Sequence, residues 1–164
     1  DEHRQDAGTS LSCVVITVSD TRDEATDSGG GWLVEALQAA GHGLARRLIV
    51  PDEVSRIRAA VKSACAEKGV DAVLLTGGTG LAPRDVTPEA LEPLLDRTIP
   101  GFGELFRFLS YEEIGAAAIL SRACAGVCEG CLVVALPGSP KALRLAWEKI
   151  LAPELGHLCQ QASQ

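Results

Sequence analysis

The feature that most constrains the fold is an apolar run at residues 70–75 that leads directly into a glycine-rich loop at residues 76–80. The run is typical of a buried strand, and the glycines let backbone N–H groups face a ligand with no Cβ in the way. Beyond the loop, Thr87 is a preferred N-cap residue and Pro88 suits the first helical position. The segment therefore predicts a strand, an anion-binding loop and a helix in succession, with the Asp85 carboxylate just ahead of the helix.

Three more segments, at residues 11–18, 44–50 and 132–136, are strand-like, and each is followed by a polar loop. The segments that follow these loops carry apolar residues at helical spacing. Successive strand–helix units connect by right-handed crossovers and form a parallel sheet. Hydrophobic residues make up 46% of the chain but aromatic residues only 4%, so aliphatic side chains must build the core. The sequence predicts an α/β fold with a parallel sheet covered by helices.

Local signals set the expected helix boundaries. Gly41 is predicted to end the first helix, and Asp52 is predicted to cap the second. The Pro and Gly residues at positions 100–103 are expected to break the chain before a helix at residues 104–113. Residues 116–127 suit either a helix or a strand.

Four polar loops follow the four predicted strands, and the carboxyl ends of parallel strands share one edge of a sheet, where ligands bind. The candidate ligand-binding residues are Ser19, Asp20, Asp52, Thr76, Gly77, Gly78, Thr79, Gly80, Asp85, Pro137, Gly138, Ser139 and Pro140. Each signal has a plainer alternative: Asp52 as a helix cap alone, Asp85 as a turn residue, and the glycines as a chain reversal. Their convergence favours a phosphate site, beside which the Asp85 carboxylate is placed to hold a metal ion.

Several common function classes are disfavoured. The glycine loop lacks the spacing of a P-loop and of a Rossmann dinucleotide site, no Gly-x-Ser-x-Gly elbow occurs, and the three histidines lie in surface or tail positions. The net charge of −7 argues against nucleic-acid or anionic-membrane partners, and no segment approaches the length of a membrane span. We expect one cytoplasmic domain at residues 11–160, after a disordered tail at residues 1–10.

Six cysteines in a chain of this length do not indicate a disulfide framework, so most are expected to be free thiols. Cys124, Cys128 and Cys131 cluster in the sequence, but a structural zinc site needs a fourth ligand and no histidine accompanies them. The turn-like pair Glu129 and Gly130 lies between two of them. Thiols that flank a turn are favoured over a metal or redox site.

Five motifs together resemble the MogA and MoaB proteins of molybdenum cofactor biosynthesis. They are Thr76-Gly77-Gly78-Thr79-Gly80, Pro83-Arg84-Asp85-Val86-Thr87-Pro88, Pro100-Gly101-Phe102-Gly103-Glu104, Leu120-Ser121-Arg122 and Leu136-Pro137-Gly138-Ser139-Pro140. The resemblance covers nearly the whole chain beyond the first ten residues. The segment at residues 106–115 and the short carboxyl end are similar to the MoaB branch.

The resemblance implies a three-layer α/β domain (αβα) with a mostly parallel sheet flanked by helices. It also implies an enzyme that transfers AMP from ATP to the terminal phosphate of molybdopterin, with Mg²⁺, and releases pyrophosphate. By motif position, Asp52 and Asp85 correspond to the acidic residues that adenylation requires, two carboxylates that would hold Mg²⁺, and Ser110 corresponds to a pterin contact. The loops at residues 76–80 and 137–140 correspond to phosphate cradles. The implied assembly is a homotrimer, with a hexamer as the alternative, and the implied partner is a molybdenum-inserting enzyme that takes the product.

Two other functions stay open at this point. In some MoaB members adenylation is doubtful, and those members depart at the acidic positions, whereas this chain keeps both Asp52 and Asp85. An active enzyme is therefore favoured over a non-catalytic molybdopterin-binding carrier or scaffold. An unrelated nucleotide-binding module with the same fold is the third hypothesis.

Overall fold

Six strands form one sheet with helices on both faces in the computed structural model, which describes residues 10–164. The strands are β1 (Ser12–Val18), β2 (Gly43–Val50), β3 (Ala72–Thr76), β4 (Arg97–Thr98), β5 (Cys124–Cys128) and β6 (Cys131–Leu136). The helices are α1 (Ser28–Ala39), α2 (Val54–Ala66), α3 (Thr87–Leu91), α4 (Pro100–Ile114), α5 (Pro140–Ala146) and α6 (Ala152–Ala162). Short 3₁₀ turns lie at Glu92–Leu94 and Gly115–Leu120, and a π-helical segment, Trp147–Leu151, joins α5 to α6.

The strand order is β2-β1-β3-β6-β5-β4. The pairs β1–β2, β1–β3 and β3–β6 are parallel, whereas β5–β6 and β4–β5 are antiparallel. Thr76 at the end of β3 is in register with Thr17 on one side and Leu136 on the other, so the parallel strands end at one level. The predicted three-layer α/β fold with a mostly parallel sheet is confirmed.

The central strands β1, β3 and β6 are buried on both faces: successive side chains of a strand point to opposite sides, and helices cover each side. One face of β1 and β3 packs on α1, α4, α5 and α6, and the other packs on α2 and α3. Val15 and Leu74, for example, lie in the first layer, and Ile16 and Leu75 in the second, all four without exposed surface. This two-sided burial explains why the strands read as continuous apolar runs. Trp147, in the segment between α5 and α6, packs in the first layer and is only 5% exposed.

The predicted chain break at residues 100–103 is wrong, because α4 already begins at Pro100. Proline is tolerated in a first helical turn, where its missing N–H has no intrahelical partner in any case. Gly103 belongs inside this helix: an added Cβ would lie 2.8 Å from the Ala123 carbonyl oxygen. The glycine therefore serves close packing against the strand segment rather than a turn.

Two predicted helix caps are also wrong. Glu53 occupies the N-cap position of α2 in place of Asp52, and Val86 occupies that of α3 in place of Thr87. The predicted end of α1 is confirmed, since Gly41 follows it with a φ of 88°.

The ambiguous segment at residues 116–127 divides into the 3₁₀ turn at Gly115–Leu120 and the strand β5. The expectation of a disordered tail concerns residues 1–10, of which only residue 10 is described. Among the described residues, no helix combines the length and the apolar character needed to cross a bilayer.

All six cysteines are free thiols, as expected. Cys128 and Cys131 lie at either end of the β5–β6 turn, in which Glu129 and Gly130 have φ values of 51° and 78°. Burial raises the pKa of the Cys128 thiol to about 12, which opposes the thiolate form that a metal or a redox reaction needs. Within the described part of the chain, no group of three or more His, Cys, Asp or Glu residues is placed to hold a metal ion.

Candidate functional site

The carboxyl ends of β1, β2, β3 and β6 lie side by side at one edge of the sheet, where backbone hydrogen bonds join neighbouring loops. Ser19 N–H donates to the Val50 carbonyl at 2.9 Å, and Gly77 N–H donates to the Leu136 carbonyl at 3.0 Å. The residues that this edge brings together are Ser19, Asp20, Asp52, Thr76, Gly77, Gly78, Thr79, Gly80, Asp85, Pro137, Gly138, Ser139 and Pro140.

The glycine loop takes a backbone path that side chains would block. Gly77 and Gly78 have φ values of 102° and 69°, which L-residues with a Cβ rarely adopt. A Cβ on Gly77 would lie 2.4 Å from the Val18 carbonyl oxygen, and one on Gly78 would lie 2.3 Å from the Thr87 hydroxyl. The Thr87 hydroxyl donates to the Gly77 carbonyl at 2.9 Å, which explains why it does not cap α3.

The two predicted acidic residues lie on opposite ends of this loop. Asp52 Oδ1 would lie 3.3 Å from a Cβ on Gly78, and Asp85 Oδ2 would lie 2.8 Å from a Cβ on Gly80. The backbone N–H of Ala82 donates to Asp85 Oδ2 at 3.0 Å and orients that carboxylate. The absence of a Cβ at Gly78 and Gly80 therefore leaves room for the two carboxylates to approach the loop.

Negative charge accumulates at this edge. Burial, together with the negative charges of Asp20 and Asp85, raises the pKa of Asp52 above its ordinary value. The pKa of Asp20 is lowered by the hydrogen bonds it accepts, first from Arg84 and then from the backbone N–H of Asp52. A cation placed near Asp52 and Asp85 would relieve the repulsion between these carboxylates.

The residues fit a divalent cation that is shared with a ligand. Carboxylate oxygens suit Mg²⁺, which binds one or two of them and completes its octahedron with waters and phosphate oxygens. Asp52 and Asp85 provide that number of carboxylates, and no third metal-binding side chain among the described residues completes a protein-only site. The chemistry of the donors therefore favours Mg²⁺ bound together with a phosphate-bearing molecule.

Ser110, which belongs to α4, reaches the same edge from the side. It is 5% exposed and lines a cavity of about 340 Å³ whose other walls are the glycine loop and the loop at residues 137–140. We refer to this space as the α4 cavity. Its lining is mainly apolar and includes one positive and one negative side chain, Lys141 and Glu113.

A second cavity of about 200 Å³, the strand-end cavity, lies on the other side of the same loops. It is lined by Ser19, Thr76 and Gly77, and Arg22 contributes a positive charge. Gly138 borders both cavities. The site therefore consists of two adjoining compartments, one polar and one largely apolar, separated by the two loops.

Sequence reasoning did not identify Arg122 as a residue that organises the site. Its Nε donates to the Gly80 carbonyl at 2.9 Å, and its Nη2 donates to the Asp85 carbonyl at 2.7 Å. Its Nη1 pairs with Glu89, and its backbone N–H donates to the Thr79 carbonyl at 2.8 Å. Arg122 thus fixes the glycine loop relative to Asp85. The Leu120-Ser121-Arg122 motif was the available signal, but it did not show what the guanidinium contacts.

Asp27 was also missed. It is 4% exposed and accepts hydrogen bonds from the Thr17 hydroxyl at 2.6 Å, from Gly30 N–H at 3.0 Å and from Arg47 at 3.2 Å. As the N-cap of α1 it fixes the start of that helix beside the strand-end cavity. Its position in a polar, glycine-rich stretch of sequence gave no indication that it would be buried.

Comparison with known proteins gives consistent matches along most of the chain. Residues 14–157 match the family model described as "Probable molybdopterin binding domain". The chain is 49% identical to molybdenum cofactor biosynthesis protein B of Bacillus subtilis (strain 168) over 161 residues, which are 98% of this chain and 95% of that protein.

Solved structures agree with this match. A crystal structure of a molybdenum cofactor biosynthesis protein B superposes with a TM-score of 0.91 at 46% identity, and the match covers 94% of this chain and 97% of that one. The tungsten cofactor synthesizing protein MoaB from Pyrococcus furiosus superposes with a TM-score of 0.85 at 36% identity, and the match covers 95% and 99% of the two chains.

Proposed function

The chain belongs to the molybdopterin-binding domain family of molybdenum cofactor biosynthesis that includes the MoaB proteins, and on this premise we propose that it adenylates molybdopterin. The proposed substrates are molybdopterin and ATP, Mg²⁺ is the cofactor, and the products are adenylyl-molybdopterin and pyrophosphate. One observation carries the proposal: two carboxylates lie against a glycine loop that separates two compartments. A reaction that joins two substrates through their phosphates needs such an arrangement.

The two compartments differ in the way that the two substrates differ. The α4 cavity, with its apolar walls and the Ser110 hydroxyl, suits the flat pterin ring system. The strand-end cavity, with Ser19, Thr76 and Arg22, suits the phosphate chain of ATP. The reacting phosphates would then meet at Gly138, which borders both spaces.

The reaction needs no general base. An oxygen of the molybdopterin phosphate, already an anion, attacks the α-phosphorus of ATP. The new O–P bond forms as the bond from the α-phosphorus to the bridging oxygen breaks, and pyrophosphate leaves with that electron pair. Catalysis of such a transfer depends on positioning and on charge stabilisation rather than on proton transfer.

The residues of this chain supply both contributions. Gly77 N–H already donates to the Leu136 carbonyl, so the backbone N–H groups of residues 78–80 would bind the phosphates. Arg22 and Lys141 would offset part of the phosphate charge. Asp52 and Asp85 would hold Mg²⁺, which supplies charge neutralisation of the phosphates when it is bound. Arg122 holds Asp85 and the loop in place.

The proposal extends to the assembly and the setting of the enzyme. Large apolar side chains are exposed along α4 and in the turn after it: Leu105, Phe108, Tyr111, Ile114, Ile119 and Leu120. Such a surface suits contact with further copies of the chain. We propose a homotrimer in the cytoplasm that passes its product to a molybdenum-inserting enzyme. Light scattering of the purified protein tests the trimer against the alternative hexamer.

The decisive experiment is pyrophosphate release from the purified protein supplied with molybdopterin, ATP and Mg²⁺. We expect Asp85→Asn to lower turnover at least about tenfold, because it removes a charge near the phosphates with little change in size. The matched control is Asp96→Asn. Asp96 also accepts a backbone N–H, from Glu129 at 2.8 Å, but it lies at the β4 side of the sheet.

Tight molybdopterin binding without pyrophosphate release from the wild-type protein would replace the enzyme with the carrier or scaffold function. Normal turnover of Asp85→Asn would remove Asp85 from the catalytic site while leaving the reaction in place. Equal losses in Asp85→Asn and Asp96→Asn would indicate a general effect of charge or folding.

A further inference from the structure

One ion pair bridges two loops at the edge of the site. Arg84 Nε donates to Asp20 Oδ2 at 2.9 Å, and Arg84 Nη2 donates to Asp20 Oδ1 at 2.8 Å. Asp20 follows β1 and Arg84 lies between β3 and α3, so the pair joins the loops that follow two adjacent strands. The two parallel hydrogen bonds are the geometry in which a guanidinium binds a carboxylate or a phosphate.

Arg84 is held only by this pair. Its side chain is 62% exposed, and within residues 10–164 it donates hydrogen bonds to no acceptor other than Asp20. Arg122 differs, because its side chain is 30% exposed and donates to two backbone carbonyls. An exposed ion pair contributes little to stability, so Arg84 can change partners at small cost, whereas Arg122 cannot.

Asp20 has a second attachment that Arg84 lacks. The backbone N–H of Asp52 donates to Asp20 Oδ1 at 3.0 Å, so Asp20 keeps one hydrogen bond when Arg84 leaves. The carboxylate would then stay beside Asp52 with its negative charge no longer paired. Departure of Arg84 would therefore leave the Asp20 charge unpaired beside Asp52 and free the guanidinium, one residue before Asp85, to bind another anion.

We propose that Arg84 is a phosphate-binding residue that pairs with Asp20 when no ligand is bound. On substrate binding its guanidinium exchanges the Asp20 carboxylate for the phosphate chain. A polyphosphate carries more negative charge than one carboxylate and accepts the same paired hydrogen bonds, so it competes well for a guanidinium. Identification of this chain as the triphosphate of ATP rests on the proposed function. The partner exchange itself requires only a polyphosphate ligand.

The test uses inorganic tripolyphosphate as the probe, in buffer with EDTA, and measures its affinity by titration calorimetry. We expect Arg84→Gln to weaken binding at least about tenfold, and Arg84→Lys to weaken it less, because lysine keeps the charge but not the paired geometry. Asp20→Asn is expected to bind as tightly as the wild type or tighter, because it frees Arg84 and removes a negative charge.

A matched control is available in the middle of β2, away from the loops at the strand ends. Arg46 pairs with Glu67 at 2.9 Å, and these side chains are 36% and 41% exposed. Arg46→Gln is expected to leave tripolyphosphate binding unchanged. Thermal unfolding of each variant checks that the fold is retained.

Opposite effects of Arg84→Gln and Asp20→Asn support partner exchange. The proposal is overturned if the wild type does not bind tripolyphosphate, if Arg84→Gln binds as the wild type does, or if both variants lose affinity equally. The measurement contains neither pterin nor turnover, so it is separate from the adenylation assay. Arg84-dependent binding of tripolyphosphate without pyrophosphate release in the adenylation assay would reject the proposed function and retain the partner exchange. Pyrophosphate release together with tripolyphosphate binding that does not depend on Arg84 would reject the partner exchange and retain the proposed function.

Discussion

Replacement of Arg122 by methionine tests whether this side chain organises the site. Methionine retains much of the aliphatic stem but removes the guanidinium, which donates to the Gly80 and Asp85 carbonyls at 2.9 Å and 2.7 Å and pairs with Glu89. The glycine loop and the segment that carries Asp85 would then lose their common attachment. We expect a loss of stability and a larger loss of activity.

The loss of stability can be estimated from these contacts. Hydrogen bonds to charged groups contribute about 1.5–3 kcal/mol each, and the exposed pair with Glu89 adds about 0–1 kcal/mol. The Arg122 side chain is 30% exposed, so water can replace part of each bond, and we reduce the sum to roughly 2–3 kcal/mol. For a domain of this size such a change lowers the melting temperature by roughly 4–12 °C.

Urea unfolding followed by circular dichroism measures the stability, and pyrophosphate release measures the activity. The matched control is Arg46→Met, which removes an arginine from a partly exposed ion pair away from the site and is expected to cost less than about 1 kcal/mol. Addition of Glu89→Ala to Arg122→Met should have little further effect on stability. If Arg122→Met costs no more than Arg46→Met and retains wild-type turnover, Arg122 does not organise the loop.

Two further predictions concern pH and backbone conformation. Because burial raises the pKa of Asp52 above its ordinary 3.8, its stabilising contribution is complete below about pH 4 and is lost as the pH rises through the raised value. Without Mg²⁺, Asp52→Asn should therefore be more stable than the wild type at pH 7, by under about 1 kcal/mol after solvent screening, and the gain should vanish near pH 4 in urea titrations. If Asp52→Asn were less stable than the wild type at pH 7, the ionised Asp52 carboxylate would not be destabilised by its burial and by the charges of Asp20 and Asp85. Gly77→Ala should cost more than Gly41→Ala in the same assay: both have positive φ, a strain of about 1–2 kcal/mol, but only Gly77 would place a Cβ 2.4 Å from the Val18 carbonyl oxygen. Equal costs at the two positions would show that the loop relaxes without difficulty.

Patterns along the chain were sufficient to predict the fold. Apolar runs at residues 11–18, 70–75 and 132–136 gave three of the four parallel strands, because two-sided burial leaves a continuous apolar signature, and the segment at residues 44–50 gave the edge strand. Gly41 predicted the end of α1 correctly, because the residue that follows a helix C-cap often has a positive φ, which glycine adopts readily. The edge where the loops meet followed as well, since the ends of parallel strands must coincide.

The antiparallel side of the sheet was less predictable. The two-residue strand β4 was not anticipated, and the segment that became β5 was ambiguous between helix and strand. Such short segments carry little periodicity, so their pairing with β6 depends on the neighbours that the fold supplies. Pro100 and Gly103 were interpreted as a break because their local preferences suit a turn as well as the start of a tightly packed helix.

The sequence by itself determined which residue types stand at the ends of the strands: glycines that permit a tight loop, two aspartates near it, and a second loop at residues 137–140. The tertiary structure decided which partner each polar group has. Thr87 and Asp52 looked like helix caps, yet Thr87 donates to the glycine loop and Asp52 lies against it. Arg122 and Arg84 had no local partner at all, and only the packing of distant segments placed one on the loop carbonyls and the other on Asp20. A polar side chain can find its hydrogen-bond partner in the adjacent backbone or in a distant segment of the fold, and the surrounding sequence does not show which of the two it will use.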